Sequence, residues 1–385
     1  MGHDDVEMAG LLQRLSEGLQ LSPDEAIRLV ERAELPVLGL AAREAARLQN
    51  PEGLVGFVVD QTILYSNVCQ PNCPFCNGTV TADDPRAFTL TPEEVVEKAR
   101  PAVAAGAQQI ILQGGHRIDL PWEYYLDLIR SLKEAYPGIA VAAYSPTEIL
   151  VMAASFGRST REVMTDLKEA GLDLLLSGGA EALGWLRQKE NRILLRGPWN
   201  DWFDVLHRAH DLGIPVIGMV PFGLGETARE RVGLLYRIRA VQFRTSRRGE
   251  GVFRALVPYD AGAPPALGES LPAGLPWPEA GPASPSDPTG YEYLRMVALA
   301  RLLVDNVPRI QASFLTQGAK VAQVALAGGA DDFGGTQFQC ARVELAAGRF
   351  GRMTPEEVQR LVRDAGLIPA RRSPTYAILE RLEPQ

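Results

Sequence analysis

The chain is poor in cysteine and histidine, with four of each in 385 residues. That is too few for a disulfide scaffold in a chain of this length. It has no apolar run near the roughly 18 residues that a membrane-crossing helix needs. It has no basic excess either: 39 Lys and Arg stand against 47 Asp and Glu, a net charge of -8, which argues against a nucleic-acid partner. The opening Met1-Gly2-His3-Asp4-Asp5 lacks the basic-then-apolar layout of a signal peptide. With 46% hydrophobic and 22% charged residues, the composition belongs to a folded chain with a sizeable core. The expectation is a soluble, cytoplasmic protein of roughly one to three domains that binds neither nucleic acid nor membrane.

The few cysteines are unevenly placed. Cys69, Cys73 and Cys76 fall together in YSNVCQPNCPFC, and Cys340 lies far downstream. Read alone, Cys73-Pro-Phe-Cys76 is a thioredoxin-like pair, but that leaves Cys69 unused. A structural zinc site wants four ligands, usually as paired C-x-x-C units or with histidine. No second pair exists, and His116, His207 and His210 lack finger-like spacing. A C-x3-C-x2-C triplet suits a [4Fe–4S] cluster better, because three thiolates hold three irons and leave the fourth open. Cys340 reads as a buried thiol.

The rest of the chain alternates strand and helix signals. Ser22-Pro23-Asp24-Glu25, Thr91-Pro92-Glu93-Glu94 and Thr354-Pro355-Glu356-Glu357 read as helix starts with capping boxes. Strands are expected at 54–65, 109–112, 139–144, 172–176, 214–220, 253–257, 310–314 and 330–333, with helices between them. They are apolar throughout rather than alternating, which favours a parallel sheet covered on both faces. An open doubly wound sheet would carry G-x-G-x-x-G after its first strand, and none follows. The fold expected is an α/β protein, a (β/α)8 barrel over 51–345. A helical region at 1–50 precedes it and a helical extension at 346–385 follows. The Pro- and Gly-dense stretch from 260 to 289 reads as a long loop.

In such a barrel the strand ends carry the site. They hold Gln113-Gly114-Gly115, Ser145, Ser177-Gly178-Gly179-Ala180-Glu181 and Phe222-Gly223-Leu224-Gly225-Glu226. Gly114 and Gly115 expose backbone groups for an amino-acid ligand, or simply make a tight turn. Glu181 can accept from ribose hydroxyls or stabilise a helix start, and Ser145 can cap a helix or touch a cofactor. His116, Arg117 and Glu226 are candidates for proton transfer or for anchoring a carboxylate.

The triplet spacing, with Phe75 between its last two cysteines, resembles the radical SAM superfamily. From about residue 20 to 380 the chain is similar to one subgroup, the futalosine-pathway menaquinone enzymes and the FO synthase subunits. The segments VDQTILYSNVCQPNCPFC, IILQGGHRIDLP, YSPTEI, GLDLLLSGGAEAL, GMVPFGLGETARERV, RIQASFLTQGAKVAQ and RMTPEEVQRLVRDAGLIPARR carry the likeness. IQASFLTQGAKVAQ looks most like the cyclising members. The resemblance implies a [4Fe–4S] cluster on Cys69, Cys73 and Cys76. It also implies S-adenosylmethionine held by Phe75, Gln113, Gly114, Gly115, Ser145 and Glu181, and a one-electron donor such as flavodoxin or ferredoxin. The small-molecule substrate would undergo radical carbon–carbon bond formation, with His116, Arg117, Glu226, Thr316, Gln317 and Lys320 as candidates near it. The chain departs from the subgroup at Ala142, where relatives carry histidine, and at Phe222-Gly223-Leu224, where they carry Tyr-Gly-His. It departs again at Gln339-Cys340, in place of paired glutamates, and at Asn77-Gly78-Thr79-Val80. Those departures leave room for a different substrate. A cluster- or zinc-bearing protein without catalysis is the reading from another class.

Overall fold

In the computed structural model, the residues described are 3–69, 80–115, 117, 119–176, 199–223, 225–247, 249–260, 288–338 and 352–383. Capping chemistry sets where many helices begin. Boxes at Ser22–Glu25, Thr91–Glu94, Ser145–Glu148, Ser159–Glu162, Thr227–Glu230 and Thr354–Glu357 each satisfy two orphan N–H groups reciprocally. Three helices come first: α1 (His3–Ser16), α2 (Pro23–Arg32) and α3 (Leu35–Gln49). The alternating part then runs β1 (Leu54–Val58), β2 (Asp60–Ser66), α4 (Pro92–Ala104), β3 (Gln109–Gly114), α5 (Trp122–Ala135) and β4 (Ala140–Ala143). It continues through α6 (Pro146–Ser155), α7 (Thr160–Ala170), β5 (Leu174–Leu176), α8 (Trp199–Asp211), β6 (Val216–Phe222) and α9 (Ala228–Ser246). Next come β7 (Phe253–Asp260), α10 (Gly290–Leu303), β8 (Arg309–Ile310), α11 (Phe314–Ala327) and β9 (Asp332–Gly335). The chain closes with α12 (Pro355–Asp364), β10 (Ile368–Arg372) and β11 (Ile378–Arg381).

Strands β2 to β8 pair in sequence order, all parallel. The pairing then returns to its start. A bridge between Gln311 and Asp332 joins the end of β8 to β9, and β9 pairs parallel with β1, which runs on into β2 across Val59. Taking β1 and β2 as one strand, the sheet closes on itself as the expected eight-stranded barrel. An open sheet has no such return.

Side-chain alternation separates inside from outside. Val55, Phe57, Val59, Ile63 and Tyr65 belong to the hydrophobic core shared with the helices, so Gly56, Val58, Asp60, Thr62 and Leu64 face inward. The same parity turns Ile111, Gln113, Leu176, Ile217 and Met219 inward, and these, with Leu64, are partly accessible where their outward neighbours are buried. A filled barrel would bury them. This lumen is open.

The C-terminal part corrects the expectation of a purely helical extension. After α12, β10 adds parallel to β1 on the edge opposite β9, and β11 folds back antiparallel on β10. This hairpin drives Arg372 into the barrel seam. Its Nε lies 2.5 Å from Asp332 Oδ2 and its Nη2 3.0 Å from Oδ1, with both side chains buried. The guanidinium stacks 3.7 Å from the centre of the Tyr376 ring. Beside it, Asp60 accepts from the Gln337 backbone N–H at 2.8 Å. A Cβ on Gly335 would come within 1.8 Å of the Asp60 carboxylate, so only glycine lets the seam close there. Two smaller corrections fall nearby: strand β8 is shorter than expected, and the helix after it starts at Phe314 and breaks at Gly318. The N-terminal helices are tied on through Arg301 of α10, which donates to Gln49 Oε1 at 2.6 Å and to Asp331 Oδ1 at 2.6 Å.

Burial pushes the Asp60 carboxyl from its ordinary 3.8 up to about 6, with the Gln337 N–H and the Arg372 charge pulling the other way. The folded state therefore favours the protonated acid. The stability this gives is complete below the ordinary value and is lost as pH rises through about 6, some 3 kcal/mol in all. Asp60→Asn is expected to remove that downward slope between about pH 4 and 6 in urea unfolding. A variant with the wild-type slope would show that Asp60 titrates normally.

Candidate active site

The first cysteine lies just past the end of β2, where a barrel builds its site. Cys69 is buried, and its backbone N–H donates to the Val80 carbonyl at 3.0 Å. Asn67 ties the returning chain on both sides: its Nδ2 donates to the Arg86 carbonyl at 2.9 Å, and its Oδ1 accepts from Phe88 N–H at 2.8 Å. Ser66 Oγ donates to the Phe88 carbonyl at 3.0 Å. Cys73, Cys76 and Phe75, with His116, Glu181 and Cys340, lie outside the described residues.

The glycines at the end of β3 are there for a close approach. Gly115 N–H donates to the Ser66 carbonyl at 3.1 Å, and a Cβ on Gly115 would sit 2.0 Å from the Val68 carbonyl oxygen and 2.7 Å from Cys69 Cβ. A Cβ on Gly114 would collide with the Tyr65 ring at 2.1 Å. The cysteine loop thus presses on bare backbone. On the far side of this turn, among Tyr65, Arg117, Tyr125 and Glu148, the free space is about 10 Å³, room for one water. On the lumen side of the turn Gln113 is partly accessible.

Other expected residues are engaged within the protein. Arg117 pairs with Asp119 at 2.7 and 2.6 Å and donates to Thr89 Oγ1 at 2.8 Å. Its carbonyl accepts from the Tyr125 hydroxyl. Glu226 is buried, bonded to Arg231 at 2.6 Å and to the Gly223 N–H at 3.1 Å. Ser145 caps α6, accepting from Glu148 N–H at 3.3 Å. Thr316 is buried on Ser313 at 2.9 Å, Gln317 follows it, and Lys320 is exposed. His207 is half-buried on α8, and burial lowers its pKa, as suits a packing residue. Of the departures, Ala142 faces the lumen, whereas Phe222 packs outward with its ring 6.3 Å from that of Tyr293.

Sequence reading missed Tyr144. It stands at the end of β4 with φ 60°, a left-handed conformation that a bulky residue rarely adopts, and its hydroxyl donates to the Tyr125 carbonyl at 3.1 Å. Such strain gathers at functional sites. The signal available in the sequence was its place just before the Ser145 cap.

A buried thiol at a barrel mouth, held against a glycine turn beside an open lumen, matches what comparison with known proteins finds. The pattern of the radical SAM superfamily covers residues 63–236, and that of the CofH/MqnC C-terminal region covers 283–384. A cyclic dehypoxanthine futalosine synthase of Halalkalibacterium halodurans is 31% identical over 98% of this chain and 96% of its own length. The chain belongs to the radical SAM superfamily. It is an enzyme, and the cofactors of that family are a [4Fe–4S] cluster and S-adenosylmethionine. A second cyclic dehypoxanthine futalosine synthase, from Streptomyces coelicolor, is 32% identical over 97% of this chain and 89% of its own. A 5-amino-6-(D-ribitylamino)uracil--L-tyrosine 4-hydroxyphenyl transferase of Methanosphaerula palustris is 32% identical over 98% of each. Among solved structures, the hydrogenase maturase HydG of Carboxydothermus hydrogenoformans aligns with a TM-score of 0.69 at 18% identity, over 96% of this chain and 81% of that one. Methylornithine synthase aligns at 0.64 and 18%, over 94% of this chain and 97% of that one. At those identities the likeness is one of fold. No helix among the described residues is long and apolar enough to cross a membrane.

The residues present fit the family's cluster: a thiol donor set begins at Cys69, and the Gly115 cradle has no space for a side chain. Gly115→Ala is expected to cost about 1–3 kcal/mol by overpacking and, by displacing the loop, to lower iron incorporation on anaerobic reconstitution. Wild-type iron content in that variant would show that the close approach does not position the cysteines.

Proposed function

We propose that this protein forms a carbon–carbon bond by radical cyclisation, in the manner of cyclic dehypoxanthine futalosine synthase, on a substrate held in the barrel lumen. The observation that carries the reading is the near full-length similarity to two enzymes of that name, and the partly accessible inward-facing residues of the barrel are in keeping with a substrate there. An aminodeoxyfutalosine synthase of Streptomyces coelicolor, 30% identical over 97% of this chain, makes radical addition to an unsaturated substrate the second reading.

In this reading Cys69, Cys73 and Cys76 hold the cluster, and Phe75 belongs to the cofactor-binding set. The backbone at Gln113, Gly114 and Gly115 meets the methionyl end of S-adenosylmethionine, and Ser145 and Glu181 serve its remaining polar groups. When bound, cluster and cofactor supply a 5′-deoxyadenosyl radical from an electron delivered by a small donor protein. The chain's own residues orient the substrate and exclude water, so that the reacting carbons stay within attack distance. His116 is the group proposed to move a proton. Arg117 and Glu226, whose charges are already paired, hold the ends of β3 and β6 in place. Menaquinone formation in the cytoplasm is the setting this implies.

The test is anaerobic. Reconstituted, reduced protein should release 5′-deoxyadenosine from S-adenosylmethionine, Cys73→Ala should abolish that release, and dehypoxanthine futalosine should be cyclised. Stoichiometric zinc without cleavage of the cofactor would overturn the radical reading. Cleavage without cyclised product would overturn the substrate alone.

A further inference from the structure

The seam of the barrel holds a polar side chain that nothing above uses. Gln311 follows β8, and its neighbour Ile310 is in the outer hydrophobic core, so Gln311 turns inward. Its backbone N–H donates to the Leu256 carbonyl at 2.8 Å, and Met219 pairs with Val257, so Gln311 lies in one row with two inward-facing positions of β7 and β6. Met219 and Gln311 are both partly accessible. The amide has one partner: the Tyr376 hydroxyl donates to Gln311 Oε1 at 2.7 Å. Among the described residues nothing accepts from Nε2.

Tyr376 fixes which way that amide points. It comes from the turn between β10 and β11, is buried, adopts φ 69°, and lies against the Arg372 guanidinium, so its ring cannot swing away. A phenol that donates to the amide oxygen leaves the NH₂ as the group offered to the lumen. The charges nearby narrow what it can meet. Asp60 and Asp332 are two carboxylates against the one guanidinium of Arg372, while Asp331 is taken up by Arg301 and Arg309. Among the described residues each guanidinium here is already paired, so a substrate carboxylate at this level would find no free cation. A neutral oxygen needs none.

We propose that Gln311 donates a hydrogen bond from Nε2 to a neutral oxygen of the substrate, a hydroxyl or carbonyl, and that Tyr376 is the positioning residue that holds the amide for it. The substrate class deepens the lumen reading above and rests on it. The C-terminal hairpin then has a role in recognition as well as in closing the barrel.

Two measurements test this. With dehypoxanthine futalosine as probe and reconstituted enzyme, Gln311→Ala should raise its KM about 5- to 10-fold, the worth of one lost hydrogen bond, with kcat little changed. Tyr376→Phe should move KM the same way by less. Substrate-free release of 5′-deoxyadenosine should stay at the wild-type rate in both, which a merely unfolded floor would not allow. An unchanged KM in Gln311→Ala, or an equal rise in the KM for S-adenosylmethionine, overturns the proposal. If the wild type does not turn over the probe, the substrate reading fails, and a crystal structure decides the proposal by itself. It should show an ordered water on the lumen side of Gln311 Nε2 in the wild type and a turned amide in Tyr376→Phe. A Gln311 amide bonded to protein at both ends would overturn it.

Discussion

The barrel depends on a buried ion pair at its seam. Arg372 comes from the last part of the chain and Asp332 from the last strand of the barrel, and they meet where that strand rejoins the first. Burying two charges is not a cheap source of stability, and a pair like this is weak evidence for it. Its effect is on geometry. The guanidinium holds both oxygens of Asp332, the Gly334 N–H reinforces one of them, and β10 is thereby kept beside β1. Removing either partner alone leaves the other charge buried, at a cost of about 3–5 kcal/mol.

With the seam closed, the molecule divides its tasks along the barrel axis. At the mouth, bare glycine backbone lets Val68 and Cys69 sit directly on the end of β3, behind which Tyr65, Tyr124, Tyr125 and Tyr144 pack ring against ring. Deeper in the lumen, where β8, β9 and the hairpin meet, the groups are polar and oriented: Gln311, Asp60 and the Arg372–Asp332 pair. In the proposed reading, cofactor chemistry belongs to the first region and substrate recognition to the second, and Ile111 and Ile217 are partly accessible on the inward face.

Much of this was legible in the sequence, for physical reasons. Capping boxes are local, so Ser22, Thr91 and Thr354 marked helix starts correctly. Buried parallel strands read as continuous apolar runs, so the barrel rhythm was visible. The glycines at 114 and 115 were seen as exposed backbone, though not the contact with Val68 and Cys69 that requires them. The C-terminal hairpin was hidden because its strands carry Pro369, Arg371, Arg372, Glu380 and Arg381, with Pro374 between them, a composition that resembles a polar tail. Its position is fixed by contacts with Asp332 and Gln311, which no local pattern connects to it. Arg117 and Glu226 looked available because a sequence shows charge but not pairing.

The central claim is that the mouth and the deep lumen act separately, and the most direct measurement removes the seam pair without leaving a lone charge. In Asp60→Asn and Asp332→Asn combined with Arg372→Met, so that no buried carboxylate is left without the guanidinium, 5′-deoxyadenosine release without substrate and conversion of substrate are measured side by side on protein shown to be folded. The account predicts that release persists within a few-fold of wild type while substrate conversion is largely lost. Equal loss of both, or full retention of both, would contradict it.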